Sequence, residues 1–422
     1  MKNKIFAEVY GCSANLSDFE MALGLLTKKG YKIVDGENDS DLNVIFTCIV
    51  KTPTTNRMIH RVRELTKLKK PLIVAGCMPK TERNIIERIN PHASLLGPNS
   101  LEKIPDAVKS ALSDEKVVFT KDLKKPKLCM PKVRKNRVVE ICEIASGCLS
   151  NCSYCETKFA RGKLFSYPED LIVKEIKNSL NQGCKEIWLT SQDCGCYGRD
   201  MNSSLPELIQ TVCEIEEKFF VRIGMMNPTY VKNILDDLID SYKSEKIFKF
   251  LHLPVQSGSN RILRRMGRGC SIKNFKNIVK KFKKEFSFLT LSTDVIVGFP
   301  GEKNEDFQKT SELIGEVKPD IVNISKFGPR PGTKAAEMEQ LTRKIINDRT
   351  KKLVGLVERV KLNNNQKWLN WKGEVLIDEI GRRGGVIGRN FAYKPVLTEG
   401  KLGTYRKVKI KSVRPIYLIG ND

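Results

Sequence analysis

Strand-like runs alternate with helix-compatible runs twice along this 422-residue chain. Alternation of that kind builds a parallel sheet with helices packed on it. In the first stretch, Lys4 to Tyr10 reads as a strand that ends at Gly11-Cys12. Leu16, Phe19, Leu23 and Leu26 then share one helical face, and the run stops at Gly30. Asp41 to Thr47 is a second strand, ending at Cys48, and Pro71 to Gly76 a third, ending at Cys77. Functional groups in open parallel sheets gather beyond the carboxyl ends of the strands. Cys12, Cys48 and Cys77 therefore form a candidate site, although they lie 36 and 29 residues apart. Three separately buried cysteines are the plainer alternative.

The alternation resumes at about residue 138. Strands are expected at 139–146, 185–191, 219–226, 247–255, 289–298 and 320–326. Six units in about 190 residues fall short of a closed eightfold barrel, which takes about 250. An open six-unit partial barrel is expected. Ser166-Tyr-Pro-Glu169 reads as a capping box with an early proline. Ile172, Ile176 and Leu180 would be the apolar face of the helix it starts, and Gly183 its end.

Just after the first barrel strand comes Cys148-Leu-Ser-Asn-Cys152-Ser-Tyr-Cys155, spaced C-x3-C-x2-C. Three thiolates on one tight loop bind three irons of a four-iron cluster and leave the fourth iron open. Zinc is the rival, but structural zinc takes four ligands, and no fourth Cys or His is close in sequence. The 13 cysteines are an odd number, and Met1 to Tyr10 lacks a secretory-signal pattern, so a disulfide framework is not expected. With only three histidines, soft thiolate chemistry is favoured. Cys194 and Cys196 follow the second barrel strand near the site and could touch a cluster. Cys142, Cys184, Cys213 and Cys270 read as small core or incidental residues, and Cys129 falls in a linker. No apolar run is long enough to span a bilayer.

The chain carries 74 Lys and Arg against 49 Asp and Glu, a formal charge of +25. That excess points to a polyanion such as nucleic acid, or to a lysine-rich proteome. Residues 121–137, with eight Lys/Arg and one Asp, read as a basic linker, either a solvated tether or a phosphate contact. Residues 331–362 are a charged helical connector. Beyond Trp368 five short strands are expected, at 373–380, 384–391, 394–398, 404–411 and 413–419, enough for a small β-barrel. Phe391, Tyr393, Tyr405 and Tyr417 interleave there with Arg389, Lys394, Arg406 and Lys407, a mixture suited to RNA. Some of these aromatics must instead fill the barrel core.

C-x3-C-x2-C after the first strand of a partial barrel is the radical S-adenosylmethionine (SAM) signature. The surrounding words are similar to those of the methylthiotransferases over essentially the full length. They include Ala160-Arg-Gly162, Trp188-Leu-Thr-Ser-Gln-Asp193, Leu253-Pro-Val-Gln-Ser-Gly258, Asp294-Val-Ile-Val-Gly-Phe-Pro-Gly-Glu302 and Pro329-Arg-Pro-Gly-Thr333. Gly388-Arg-Asn and Tyr393-Lys-Pro-Val396 resemble a TRAM domain. Thr190-Ser-Gln-Asp with Tyr197-Gly-Arg-Asp200, and Met226-Asn-Pro228, resemble the archaeal and eukaryotic branch that modifies threonylcarbamoyladenosine in tRNA.

The resemblance implies an α/β fold in segments: an N-terminal parallel-sheet domain (1–120), the linker (121–137), an open (βα)6 radical SAM partial barrel (138–330), the connector (331–362) and a TRAM-like RNA-binding barrel (363–422). It implies SAM and two [4Fe-4S] clusters, one on Cys148, Cys152 and Cys155 as the catalytic centre, the other on Cys12, Cys48 and Cys77. Gln192, Asp193, Arg222, Gln256 and Gly298 would face SAM, and Arg389, Tyr393 and Lys394 would meet RNA. Arg161 and Arg222 would belong to a basic rim. The implied partners are tRNA, an electron donor and a sulfur source, in the cytoplasm. Branches acting on isopentenyladenosine in tRNA, or on an aspartate of a ribosomal protein, are the enzymatic alternatives. A noncatalytic iron–sulfur RNA-binding protein is the alternative of another class.

Overall fold

A computed structural model describes residues 3–381 and 384–421. Met1, Lys2 and Asp422, at the outer ends of the first and last segments, lie outside the described residues, as do Arg382 and Arg383. The first sheet has six parallel strands: β1 (Lys4–Val9), β2 (Lys32–Val34), β3 (Leu42–Thr47), β4 (Leu72–Gly76), β5 (Ser94–Leu96) and β6 (Val118–Phe119), in the order β2-β1-β3-β4-β5-β6. Helix α1 (Ser13–Lys28) follows β1 and α2 (Thr52–Lys67) follows β3. Strands β3 and β4 are buried throughout, and so read as unbroken apolar runs. The expected strands are β1, β3 and β4. Strands β2, β5 and β6, of two or three residues, are too short to show a period.

The second α/β unit contains β7 (Val139–Glu143), a small hairpin of β8 (Ala145–Ser146) and β9 (Phe165–Ser166), β10 (Glu186–Thr190), β11 (Phe220–Ile223), β12 (Phe250–His252), β13 (Thr290–Val297) and β14 (Ile321–Lys326). The main strands form two parallel three-stranded sheets, β11-β10-β7 and β12-β13-β14, linked by a bridge between Val221 and Ile247. All six expected strands are present, as an open arc. Short helix α3 (Thr157–Arg161) follows the C-x3-C-x2-C loop. The capping box expected at Ser166 is absent. Helix α4 (Glu169–Asn181) starts after Pro168 without a side-chain cap, because the Ser166 hydroxyl accepts from the Gly198 amide instead.

The connector is mainly helix α5 (Arg343–Gln366), which packs on β13 and β14. Strands β15 (Lys372–Ile380), β16 (Val386–Arg389), β17 (Pro395–Thr398), β18 (Tyr405–Val413) and β19 (Leu418–Asn421) close a barrel in the order β15-β16-β17-β19-β18. Val375, Val396, Val408, Ile410 and Leu418 fill it, with Trp368 as a buried plug.

Of the barrel residues expected to meet RNA, Tyr393 and Lys394 hold the barrel to the arc, and Arg389 is paired within the barrel. Tyr393 is buried between Phe248 and Phe250, with ring centroids 4.9 and 5.1 Å away. The Lys394 ammonium is buried 2.8 Å from Asp320 and 2.7 Å from the Asn365 carbonyl oxygen. Arg389 pairs with Asp378 and Glu379 at 3.0 and 2.9 Å. Phe391 packs against Trp368 and Trp371. Three exposed cations alternate along β18, at Lys407, Lys409 and Lys411.

The basic segment 121–137 is not a solvated tether throughout. Lys127 is buried 2.5 Å from Asp18 of α1 and 2.8 Å from Glu143 of β7. Arg161 of α3 completes a square, 2.7 Å from Asp18 and 3.1 Å from Glu143. It is therefore buried in this square, and its side chain also lines the cavity that the cysteines share. Lys132 pairs with Glu140 and Glu175, and Arg134 with Glu140. These pairs take up three of the segment's eight cations, and Lys121, Lys124, Lys125, Lys135 and Arg137 stay exposed. Removing one partner of a buried ion pair leaves a bare charge and costs about 3–5 kcal/mol. Arg161→Met should lower unfolding free energy by that amount in a guanidinium titration.

Candidate active site

The strand order makes β1, β3 and β4 neighbours, so Cys12, Cys48 and Cys77 emerge side by side at one sheet end. The arc presents its own strand ends to the same place. Cys12, Cys48, Cys77, Cys148, Cys152 and Cys155 all line one cavity of about 390 Å³. All 13 cysteines are unpaired.

Three of the six cysteines follow a glycine with a left-handed backbone: Gly11 (φ +116°), Gly76 (φ +91°) and Gly147 (φ +79°). A side chain there would be strained and would also collide. A Cβ on Gly147 would lie 2.0 Å from the Lys163 carbonyl oxygen, and one on Gly11 would lie 2.4 Å from the Cys48 Cβ. The glycine thus turns the chain sharply at the strand end and aims the next side chain into the cavity.

In each trio one thiol is held low by a neighbouring thiol that is itself held high, Cys48 within the first trio and Cys196 beside the second. The hydrogen bond from Cys48 lowers Cys12 to about 6, against burial, while Cys48 itself is raised. The hydrogen bond from Cys196 likewise lowers Cys148 to about 6, and Cys196 is raised. Burial lifts Cys77 to about 11. The Ser150 amide donates to Cys148 Sγ at 3.3 Å, and Arg268 Nη1 reaches Cys152 Sγ at 3.9 Å. Three thiols on one loop with N–H donors aimed at sulfur are a donor set that fits an iron–sulfur cluster.

Of the residues expected to face SAM, Gln192, Asp193, Arg222 and Gln256 line the cavity. Gln192 Oε1 accepts from the Gly147 amide at 2.6 Å, so it braces the cysteine loop. Asp193 Oδ1 accepts from the Asn227 and Gly195 amides, and Oδ2 is buried without a partner. Burial first, then the Cys148 charge, raises Asp193 to about 7. Arg222 lies over the rings of Trp188, Phe250 and Tyr393. Gln256 holds φ +70°, a backbone state rare outside glycine. Gly298 does not line the cavity. A Cβ there would strike Ile346 of α5 at 2.4 Å, so this glycine admits the helix rather than a ligand.

Sequence reasoning left several lining residues unassigned. His252 faces Asp294 at 3.3 Å, and Asn323 donates to Asp294 at 2.7 Å. Burial pushes the Asp294 carboxyl up, but these partners outweigh it and hold it low. Arg268 carried no motif. The Cys-x-Cys pair divides. Cys196, the Asp193 carboxylate and Cys148 bring ligand atoms within 4.8 Å of one another. Cys194 turns inward to Ser191 and the Leu189 carbonyl.

The model of the radical SAM superfamily matches residues 142–314, and that of the uncharacterized protein family UPF0004 matches residues 4–97. The probable threonylcarbamoyladenosine tRNA methylthiotransferase of Pyrococcus horikoshii is 42% identical, with 99% of each chain covered. The human threonylcarbamoyladenosine tRNA methylthiotransferase is 37% identical over 83% of this chain and 62% of its own. The chain belongs to the threonylcarbamoyladenosine tRNA methylthiotransferase family. Its fold is also that of more distant radical SAM proteins. TsrM of Kitasatospora setae, a radical SAM methyltransferase solved with cobalamin and a [4Fe-4S] cluster, superposes with a TM-score of 0.58. The identity is 12%, over 80% of this chain and 77% of that one. As a radical SAM member of this family the protein uses an iron–sulfur cluster and SAM.

Replacing Gly147 by valine should displace Cys148 and cut the iron taken up on anaerobic reconstitution. Gly30→Val is the control, because Gly30 also has positive φ but open space around it and no thiol beside it. Colorimetric iron determination on both variants checks this.

Proposed function

We propose that the protein inserts a methylthio group at carbon 2 of N6-threonylcarbamoyladenosine next to the anticodon of tRNA. The observation that carries this reading is the single cavity lined by six thiols from two domains. Family relatives named for this activity cover the whole chain. Cys148, Cys152 and Cys155 would hold one [4Fe-4S] cluster, and Cys12, Cys48 and Cys77 a second. Carbon 2 of adenine is an unactivated C–H that no side-chain acid or base can substitute. A reduced cluster with an open iron supplies reductive cleavage of SAM and with it a hydrogen-abstracting radical.

The chain's own residues position and shield this chemistry. The Gln192 carbonyl oxygen fixes the Gly147 turn, Arg268 donates toward Cys152, and Asn227 and Gly195 amides hold Asp193 at the cavity wall. An electron donor and a sulfur source must come from outside the chain. The unpaired state of every cysteine suits a reducing cytoplasm. Among the described residues no helix is long and apolar enough to cross a membrane.

The tRNA contact falls on the outward face of the C-terminal barrel. Lys407, Lys409 and Lys411 share that face, and Lys372 sits directly opposite Lys409 in the β15–β18 ladder. Like charges in register are destabilising on their own and suit a polyanion placed across them. Each phosphate contact contributes roughly 0.7–0.9 to the slope of log affinity against log salt. Changing Lys407, Lys409 and Lys411 together to Gln should flatten that slope by about 2, measured by tRNA binding across a salt series.

Two assays test the chemistry. Changing Cys12, Cys48 and Cys77 together to Ala should leave about half the iron and continued release of 5′-deoxyadenosine from SAM, but no methylthio product. Full methylthiolation by that variant would sink the second-cluster assignment. Single-turnover rates on threonylcarbamoylated and isopentenylated tRNA separate the substrate readings. The first should be modified and the second hardly at all; equal rates would overturn the branch.

A further inference from the structure

A second cavity, of about 620 Å³, adjoins the cysteine-lined one, and the two share Val50, Tyr154, Gln256 and Asp294. Lys51, Thr52 and Pro53 at the start of α2 form one side, and β14 with the following loop to Arg330 forms the other. Three features here ask for the same kind of occupant. Arg330 is buried; its Nη1 donates to Thr55 Oγ1 at 3.1 Å and faces Glu82 at 4.0 Å, while Nη2 is buried with no hydrogen-bond partner. An unmade bond to a buried guanidinium is a feature that native structures seldom carry without a reason. The Lys51 ammonium is exposed and makes no hydrogen bond or ion pair among the described residues. Helix α2 begins at Lys51 with no side-chain cap and with Pro53 in its first turn, so its positive end is undressed.

Negative charge offsets this only in part, since Glu82 stands 4.0 Å from Arg330. Among the described residues Asp294 is the one acid that lines the cavity, and it is engaged by Asn323 and His252. Lys326 adds a further cation, held 2.6 Å from Asn347.

We propose that this second cavity is the subsite for the carboxylate-bearing arm of the substrate base, with Lys51 and Arg330 as specificity-determining cations. The assignment rests on the substrate reading above. In adenine only N1 separates carbon 2 from the carbon that carries the N6 arm. A base that presents carbon 2 to the thiols therefore directs its arm into adjoining space. The threonyl arm ends in a carboxylate and a hydroxyl, which match cations and an open helix N-terminus. A neutral arm would leave those donors unpaired, and sites built to hydrogen-bond reject such analogues strongly.

The test uses the cluster-loaded full chain and two tRNA probes. One carries threonylcarbamoyladenosine; the other carries the same arm with its carboxylate replaced by a carboxamide. Single-turnover rates and Kd are measured for each. Wild type should prefer the carboxylate probe at least tenfold, the scale of one hydrogen bond to a charged group. Lys51→Met, a surface change, should shrink that preference several-fold in both rate and Kd, and Arg330→Gln should shrink it further. Turnover of the carboxylate probe with a preference that neither variant reduces would overturn the subsite alone. No wild-type turnover of that probe would overturn the substrate reading, and the subsite with it.

Discussion

The square of Asp18, Arg161, Glu143 and Lys127 is the joint on which the site depends. Its charges come from α1, from the helix after the C-x3-C-x2-C loop, from the first strand of the arc and from the connecting segment. Each anion touches both cations; Lys127 also donates to the Pro98 carbonyl, and Glu143 also accepts from the Tyr167 hydroxyl. Buried ion pairs add little net stability compared with apolar packing, and their best-attested use is to fix register. Here they fix the facing of two cysteine trios that belong to different sheets. The Ser17 hydroxyl on the Ile141 carbonyl and the Ser13–Thr190 hydroxyl contact lie along the same seam.

That joint explains why the cavity needs both α/β units. The N-terminal sheet alone would present three thiols to solvent, and the arc alone would leave its loop open on one side. Face to face, they enclose a space that Tyr154, Met225 and His252 help to line. Iron–sulfur chemistry on an unactivated C–H needs such shielding, because stray solvent and oxidants compete with the substrate.

Much of this was legible in the sequence, and the omissions have physical causes. Strand-end cysteines were readable because strand and helix periods alternate cleanly before Cys12, Cys48 and Cys77. The C-x3-C-x2-C loop was readable because its ligands are local. The fate of cations was not. Lys127, Arg161, Arg389 and Lys394 look like rim or RNA-binding charge until the carboxylates that bury them are placed, and those lie from 10 to 143 residues away. Gly298 was expected to face SAM, but Ile346, 48 residues further on, occupies the space. The barrel's outward lysines were legible only once alternation along β18 fixed which side faces out.

The weld between barrel and arc carries a consequence for how a long substrate is handled. Tyr393 and Lys394 seat the barrel through aromatic contacts and a buried ion pair rather than through a supple tether. Under the proposed tRNA contact, a grip mounted that way would act as a caliper. The span from the lysine row to the thiol-lined cavity would be set by the protein, so only a nucleotide at the matching distance along a folded RNA would come to rest at the thiols. Position within the RNA would then be read by length, independently of the letters around it.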